Sequence, residues 1–281
     1  MARYTIIGGD LRNIELANEL KKDGNHVNIY GFSNIKELES MKDSIKNSDV
    51  LITPIVFSKD DCNINAPFSD EDIKIKDFLD SVNNSQIIIL GNVSDKVYKN
   101  MKHLKCVNIL EREEMTVLNA IPTAEGAIQA AMESLPITIH GSNCMVLGFG
   151  RIGKVLAKML RGIGANVYVE ARKDWDLSWI YAYGYNKVCL KDLGQNVFNM
   201  DIIFNTIPSV VIDHDILVNL KKEVLIIDLA SKPHGVDFDE SKKLGINAKL
   251  LLALPGKVAP KTSAIFMKDA IYNIVKEMEV L

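Results

Sequence analysis

Between the apolar run Met145 to Leu147 and a helical pattern, the chain places Gly148, Phe149, Gly150, Arg151, Ile152 and Gly153, and few folds accommodate that order. After the turn, Ile152, Val155, Leu156, Met159, Leu160 and Ile163 recur at helical spacing. A second apolar run, Val167 to Val169, then ends at Glu170. Strand, three-glycine turn, helix and second strand together form a unit that seats the pyrophosphate of a dinucleotide. Gly148 permits the tight turn, Gly150 lets the backbone approach the ligand, and Gly153 lets helix and strand pack closely. Unpaired N–H groups at the helix start receive the anion. The whole turn, 148 to 153, is therefore expected to bind a cofactor.

The end of the second strand selects between nicotinamide cofactors. An acid there bonds the ribose hydroxyls, whereas a nearby Arg accepts the extra phosphate of NADP. Glu170, Arg172 and Lys173 supply both kinds of group. NADP is the expected cofactor, with NAD as the alternative.

Short apolar runs alternate with helical patterns along the rest of the chain, which is the pattern of parallel sheets covered by helices. Tyr4–Ile7, Val27–Tyr30, Val50–Thr53, Ile87–Leu90 and Val107–Leu110 read as five strands of a first half. Met145–Leu147, Val167–Val169, Ile202–Asn205, Val224–Asp228 and Ala248–Leu252 read as five strands of a second. The fold class is α/β, with two Rossmann-like, doubly wound parallel-sheet domains. With 281 residues, 47% of them hydrophobic, two cores can be filled. The expected divisions are 1–120 for a substrate domain, 121–140 for a connecting helix and hinge, 141–260 for the cofactor domain, and 261–281 for a last helix returning to the first domain. Pro122 is expected at the first position of the connecting helix, which ends near Pro136. Ser69 with Asp72 resembles a capping box before Ile73, Ile75, Phe78 and Leu79, and 57–68 reads as an irregular surface loop.

The first strand-turn-helix unit contrasts with the glycine turn. Gly8, Gly9, Asp10, Leu11, Arg12 and Asn13 lack the third glycine. A carboxylate capping that helix occupies an anion's place and repels phosphate, so one dinucleotide per chain is expected.

A net charge of −3, with both signs mixed along the chain, leaves no basic stripe for nucleic acid or anionic lipid. Cys62, Cys106, Cys144 and Cys189 have no metal-ligand spacing, so free thiols in a reducing, cytoplasmic setting and no metal are expected. The first apolar run is cut by Gly8, Gly9 and Asp10, too early for a signal core or a membrane span.

Ligands of doubly wound sheets bind beyond the carboxyl ends of the strands. Three segments meet that requirement in the second half: Asn205–Ser209, Asp228–Pro233 and Leu254–Thr262. Thr206, Pro208, Asp228, Ala230, Ser231, Pro255 and Gly256 are the expected cofactor rim. Lys261 and Thr262 combine a cation with a helix start and suit a substrate carboxylate. Glu125, His140, Lys261 and Asp228 are the candidates for proton transfer or substrate activation.

Six ordered blocks carry a resemblance over nearly the whole chain. They are IIGGDLRNIELA from Ile6, EREEMTVLNAIPTAEGAI from Glu111, TIHGSNCMVLGFGRIG from Thr138, NTIPS from Asn205, DLASKPHGVDF from Asp228 and LPGKVAPKTSA from Leu254. Together these resemble the A subunit of dipicolinate synthase. Glu170 stands where relatives are expected to carry a small residue, and His234 where they are expected to carry glycine. The resemblance implies an NADP-dependent sporulation enzyme of the mother-cell cytoplasm. It implies work with a flavoprotein-like B subunit to oxidise dihydrodipicolinate, and a homo-oligomer is expected. Arg112, Lys261 and Thr262 would then hold carboxylates, with Asn119, Thr123 and Glu125 beside the substrate. Other two-domain dehydrogenases share this architecture but fit less well. The 2-hydroxyacid enzymes need a late histidine, absent after Leu254, and for the shikimate type only Lys59 and Asp60 answer. A scaffold that binds cofactor for the B subunit is the non-enzymatic alternative.

Overall fold

The structure, a computed structural model, describes residues 2–33 and 40–278. The chain forms two compact units, Met1–Asn119 with Ala259–Leu281, and Ala120–Val258. Strands β1 (Arg3–Ile7), β2 (His26–Tyr30), β3 (Val50–Ile52), β4 (Asn63–Ile64), β5 (Ile73–Lys74), β6 (Ile87–Leu90) and β7 (Lys105–Asn108) belong to the first unit. With them come helices α1 (Leu11–Lys22), α2 (Met41–Lys46), α3 (Ile75–Ser81) and α4 (Asp95–Tyr98). Helix α5 (Glu113–Ser134) contains the boundary between the units. The second unit holds β8 (Asn143–Leu147), α6 (Arg151–Ile163), β9 (Asn166–Ala171), α7 (Asp174–Ala182), β10 (Asn186–Cys189), α8 (Leu193–Asn196) and β11 (Ile202–Asn205). It continues with α9 (His214–Leu217), β12 (Leu225–Asp228), α10 (Phe238–Leu244), β13 (Asn247–Leu250) and α11 (Leu254–Val258). Helix α12 (Pro260–Glu277) returns the chain to the first unit.

In the first unit the parallel sheet runs β2-β1-β3-β6-β7, and in the second β10-β9-β8-β11-β12-β13. These are the flavodoxin-like and Rossmann orders of doubly wound folds. Side-chain alternation shows why both sheets are covered on both faces. Tyr4, Ile6, Val50, Ile52, Ile87 and Ile89 pack with Leu16 and Leu20 of α1 and Met267, Ile271 and Ile274 of α12. Their strand neighbours Ile7, Leu51, Ile88 and Leu90 pack with Ile45, Phe57, Phe78 and Met101. In the second unit Cys144, Val146, Ile202 and Phe204 face Leu156 and Leu160 of α6, while Met145, Leu147 and Ile203 face Leu193, Val197 and Leu217. Strands buried on two faces must be apolar throughout, which is the pattern the sequence displays.

Several local expectations are corrected. Pro122 lies inside α5, not at its start. Its ring nitrogen cannot donate to the Leu118 carbonyl, and the boundary between units falls in that turn. Ser69 does not cap a helix: its hydroxyl donates to the Glu71 carbonyl. Helix α3 instead starts at Ile75 after the two-residue strand β5, which pairs antiparallel with β4. The segment 57–68 is therefore partly ordered as a hairpin arm, with Phe57 fully buried. Edge strand β10 carries no strand signal in the sequence, because Asn-Lys-Val-Cys is half polar.

Candidate functional site

The glycine turn follows β8, and each glycine has a different geometric reason. Gly148 has φ +92, and a Cβ on it would stand 2.6 Å from Thr206 Oγ1. Gly153 is closed as well, since a Cβ there would lie 2.0 Å from the Gly148 carbonyl oxygen. Gly150, the N-cap of α6, has no heavy atom within 4 Å of its Cβ position and makes no side-chain cap bond. The turn is thus tight at both ends and open at its middle, above the first N–H groups of α6. A pyrophosphate fits that opening, because an anion there meets backbone donors and the positive end of the helix.

Glu170 departs from the expected role. It is not the last residue of β9: Ala171 is, and Glu170 is 1% exposed. Its Oε2 accepts the Gly148 N–H at 3.1 Å, while Oε1 is buried without a hydrogen-bond partner among the described residues. Burial pushes this carboxyl above the ordinary value, opposed by the Gly148 N–H and by Arg172. The strand end therefore carries a small residue, Ala171, followed by exposed Arg172 and Lys173, with the Lys173 ammonium 4.9 Å from the Trp175 ring centre.

The rim beyond β11 and β12 is built around a buried carboxylate. Asp228 is 0% exposed and accepts from Asn205 Nδ2 (2.8 Å), Ala230 N–H (2.9 Å) and Gly235 N–H (2.8 Å). Asn205 also bonds the Ile207 backbone through both ends of its amide. Asp228 and Ala230 are corrected accordingly: their polar groups hold the two loops together and are not turned to a ligand. Thr206 bridges to the Leu147 carbonyl at 2.9 Å and lies against Gly148, while Pro208 and Ser231 are exposed beside it in sequence. His234, in the position assigned to glycine, has φ 73, a left-handed backbone that favours glycine.

Phe149 is 7% exposed and packs on Tyr183, with ring centres 6.3 Å apart, so its side chain belongs to the core. Ile152 packs on the same core, and Arg151 is exposed at the first position of α6. Pro255 and Gly256 lie buried in α11, which packs Leu254 and Val258 on Gly126 of α5. The segment expected as a loop rim is a helix at that point.

The proton-transfer candidates are dispersed. His140 precedes β8 and lies on Gly164, whose Cβ would stand 2.4 Å from the imidazole Cδ2. It therefore sits at the amino end of the sheet, and the five residues of β8 put about 16 Å between it and the glycine turn. Glu125 is exposed on α5 and lines a cavity of about 560 Å³ with Ile128, Met132, Met159 and Ile163, two to three turns along α6 from its glycine end. Thr123, half-buried, lies on the same helix.

In the first unit, Arg112 pairs bidentately with Glu277 (2.6 and 2.7 Å) and bonds Glu114 at 2.8 Å. That corrects its assignment: two acids already engage the guanidinium. Lys261 and Thr262 are exposed in the first turn of α12. The Glu19 carboxyl of α1 is held below its usual range by Lys22, with Lys268 and Lys261 adding to the field. Asn119 is half-buried. Among the described residues no group of His, Cys, Asp and Glu is arranged to hold a metal, and no helix is long and apolar enough to cross a membrane.

Residues 3–110 match the family of N-terminal domains of the dipicolinate synthase A subunit. Residues 116–234 match the NAD binding domain of the D-isomer specific 2-hydroxyacid dehydrogenases. Over 288 aligned residues the chain is 32% identical to the dipicolinate synthase A subunit of Bacillus subtilis, covering 99% of this chain and 97% of that protein. The chain belongs to the dipicolinate synthase A-subunit family. The crystal structure of the family member from Bacillus halodurans superposes with a TM-score of 0.90 at 30% identity, over 98% of this chain and 97% of that one. An L-alanine dehydrogenase, at 13% identity and a TM-score of 0.67 over 98% and 90% of the two chains, shares the fold. The second unit is thus a dehydrogenase-type NAD-binding domain, and the chain is an oxidoreductase that takes a nicotinamide cofactor.

Proposed function

We propose that this chain oxidises dihydrodipicolinate to pyridine-2,6-dicarboxylate with NADP, in the mother cell of a sporulating bacterium and together with a B subunit. The observation that carries the reading is an intact glycine cradle on a chain that aligns end to end with a dipicolinate synthase subunit. That the relative is one subunit of its enzyme supports a partner chain.

When bound, the cofactor supplies a hydride acceptor. The open Gly150 and the N-terminus of α6 receive its pyrophosphate. Arg172 and Lys173, after the small Ala171, receive the 2′-phosphate, whereas Glu170 is directed to Gly148 and leaves the ribose edge to them. Thr206 and the exposed Pro208 and Ser231 form the rim. The dihydropyridine loses a hydride and a proton, and the ring gains aromaticity, so strong acid–base catalysis is unnecessary. Water takes the proton, since Asp228 is engaged by three donors and His140 lies at the far end of the sheet. The chain's work is alignment.

Absorbance at about 340 nm tests this: full-length chain with dihydrodipicolinate and NADP, with and without the B subunit, should reduce the cofactor. Absence of reduction in both preparations would overturn the reading and favour a scaffold.

A further inference from the structure

The first unit carries a second turn at the position where ligands meet parallel sheets. In the order β2-β1-β3 the chain reverses direction across the sheet at β1, and the crevice beyond the carboxyl ends of β1 and β3 is the switch point. The β1–α1 turn, Gly8 to Asn13, stands there. Gly8 and Gly9 have φ +63 and +110, conformations that leave the turn to glycine.

Two polar side chains are buried in this turn. Arg12 is 4% exposed, and Asp10 holds it in a single pose through Nε (2.9 Å) and Nη2 (2.7 Å). Asp10 also caps α1 by accepting the Arg12 N–H at 3.0 Å. The sequence suggests that Asp10 repels anions; the structure shows its charge neutralised by Arg12, whose Nε and Nη2 both donate to the Asp10 carboxylate. Asn13 is 1% exposed, and its Nδ2 has no hydrogen-bond partner among the described residues. Its amide is directed into the turn: a Cβ on Gly9 would fall 2.2 Å from Asn13 Oδ1 and 2.8 Å from Nδ2. An interior donor without an acceptor destabilises the fold, a cost retained where a ligand supplies the acceptor.

We propose that Arg12 and Asn13 form a carboxylate-binding site at the β1–α1 turn of the first unit. An acceptor there completes the amide of Asn13 and takes the remaining edge of a guanidinium already fixed by Asp10, with the N-terminus of α1 adding to the field. A phosphate brings a second negative charge close to Asp10, whereas a carboxylate brings one. The identity of the ligand as a pyridine dicarboxylate rests on the function proposed above; the carboxylate chemistry does not.

Calorimetric titration of the full-length chain with pyridine-2,6-dicarboxylate, in the presence of NADP, tests the site. Asn13→Leu should weaken binding at least tenfold yet raise the Tm of the ligand-free protein by a few degrees, because an unsatisfied donor is removed. Asn13→Asp keeps the shape and reverses the polarity, so it should also weaken binding at least tenfold; Arg12→Lys should do the same. NADP affinity should stay within twofold in all three. Wild-type binding retained by folded Asn13→Asp and Arg12→Lys overturns the site and leaves the proposed function standing. Failure of the wild type to bind the pyridine dicarboxylate, with Asn13-dependent binding of another small carboxylate such as pyruvate, overturns the proposed substrate and supports the site. A lowered Tm for Asn13→Leu with unchanged affinity assigns Asn13 to structure alone and overturns the proposal.

Discussion

The Glu170 carboxylate accepts the backbone N–H of Gly148 at 3.1 Å, so a buried acid on β9 fixes the first peptide of the glycine turn on the neighbouring strand. The second carboxylate oxygen has no partner among the described residues, and the charged form is disfavoured by burial. With the folded value raised, the native state holds its proton at pH values where the unfolded chain has released it. This group's contribution to stability is therefore lost as pH rises from the ordinary carboxylate range, about 4.3, through the raised folded value. Glu170→Gln should give a Tm above wild type at pH 7, the difference vanishing below about pH 4. Thermal melts across pH check this, and a pH-independent difference would refute it.

Gly150 and Gly153 should respond in opposite ways to the same methyl group. Gly150→Ala places a Cβ in open space, so the fold should be kept to within about 1 kcal/mol while cofactor affinity falls tenfold or more. Gly153→Ala drives a Cβ to 2.0 Å from the Gly148 carbonyl and should cost about 2–4 kcal/mol of stability. Denaturant midpoints and cofactor titration of the pair separate the two roles.

Arg172 and Lys173 set cofactor choice on the proposed reading. Arg172→Ala with Lys173→Ala should raise the KM for NADP at least tenfold and leave that for NAD within about twofold, because only the 2′-phosphate is lost. Equal loss for both cofactors would remove these residues from the ribose site.

Asp228 accepts three hydrogen bonds in the interior, so its removal orphans all three donors. Asp228→Ala should destabilise the second unit by about 3–5 kcal/mol, read from urea denaturation. A loss below about 1 kcal/mol would show that water replaces the carboxylate.

Glu125→Gln and His140→Asn should keep kcat within about threefold, with a pH–rate profile unchanged from wild type, if water takes the ring proton. A tenfold fall in kcat with a shifted profile would name that residue as the base.

How far the sequence revealed this arrangement depends on how local each signal is. Gly148, Gly150 and Gly153 are legible because turn, approach and packing are dictated within six residues. The central strands β3 and β6 are legible because each is apolar on both faces. Arg112 misled because its partner Glu277 is 165 positions away, and a cation looks unoccupied until the far end of the chain is placed. Asp228 misled in the same way: a carboxylate at a strand end reads as reactive, and only the fold brings Asn205 and Gly235 to it. Glu170 shows the limit of register, since one residue decides whether an acid reaches the ribose edge or turns to the neighbouring strand. The donors Arg12 and Asn13 are illegible in the sequence because their burial and the Asp10–Arg12 pair exist only once the turn is folded.

The return of α12 has a consequence for the order in which the molecule is made. Ala264, Met267, Ile271, Ile274 and Val275 pack against β1, β3 and β6, so residues 1–119 leave the ribosome without one wall of their own core until α12 is translated. The second unit, continuous from Ala120 to Val258, can close before that. Synthesis therefore reverses the usual sequence in which amino-terminal domains mature first. A nascent chain arrested before α12 emerges should protect residues 120–258 from protease while the earlier half is cleaved.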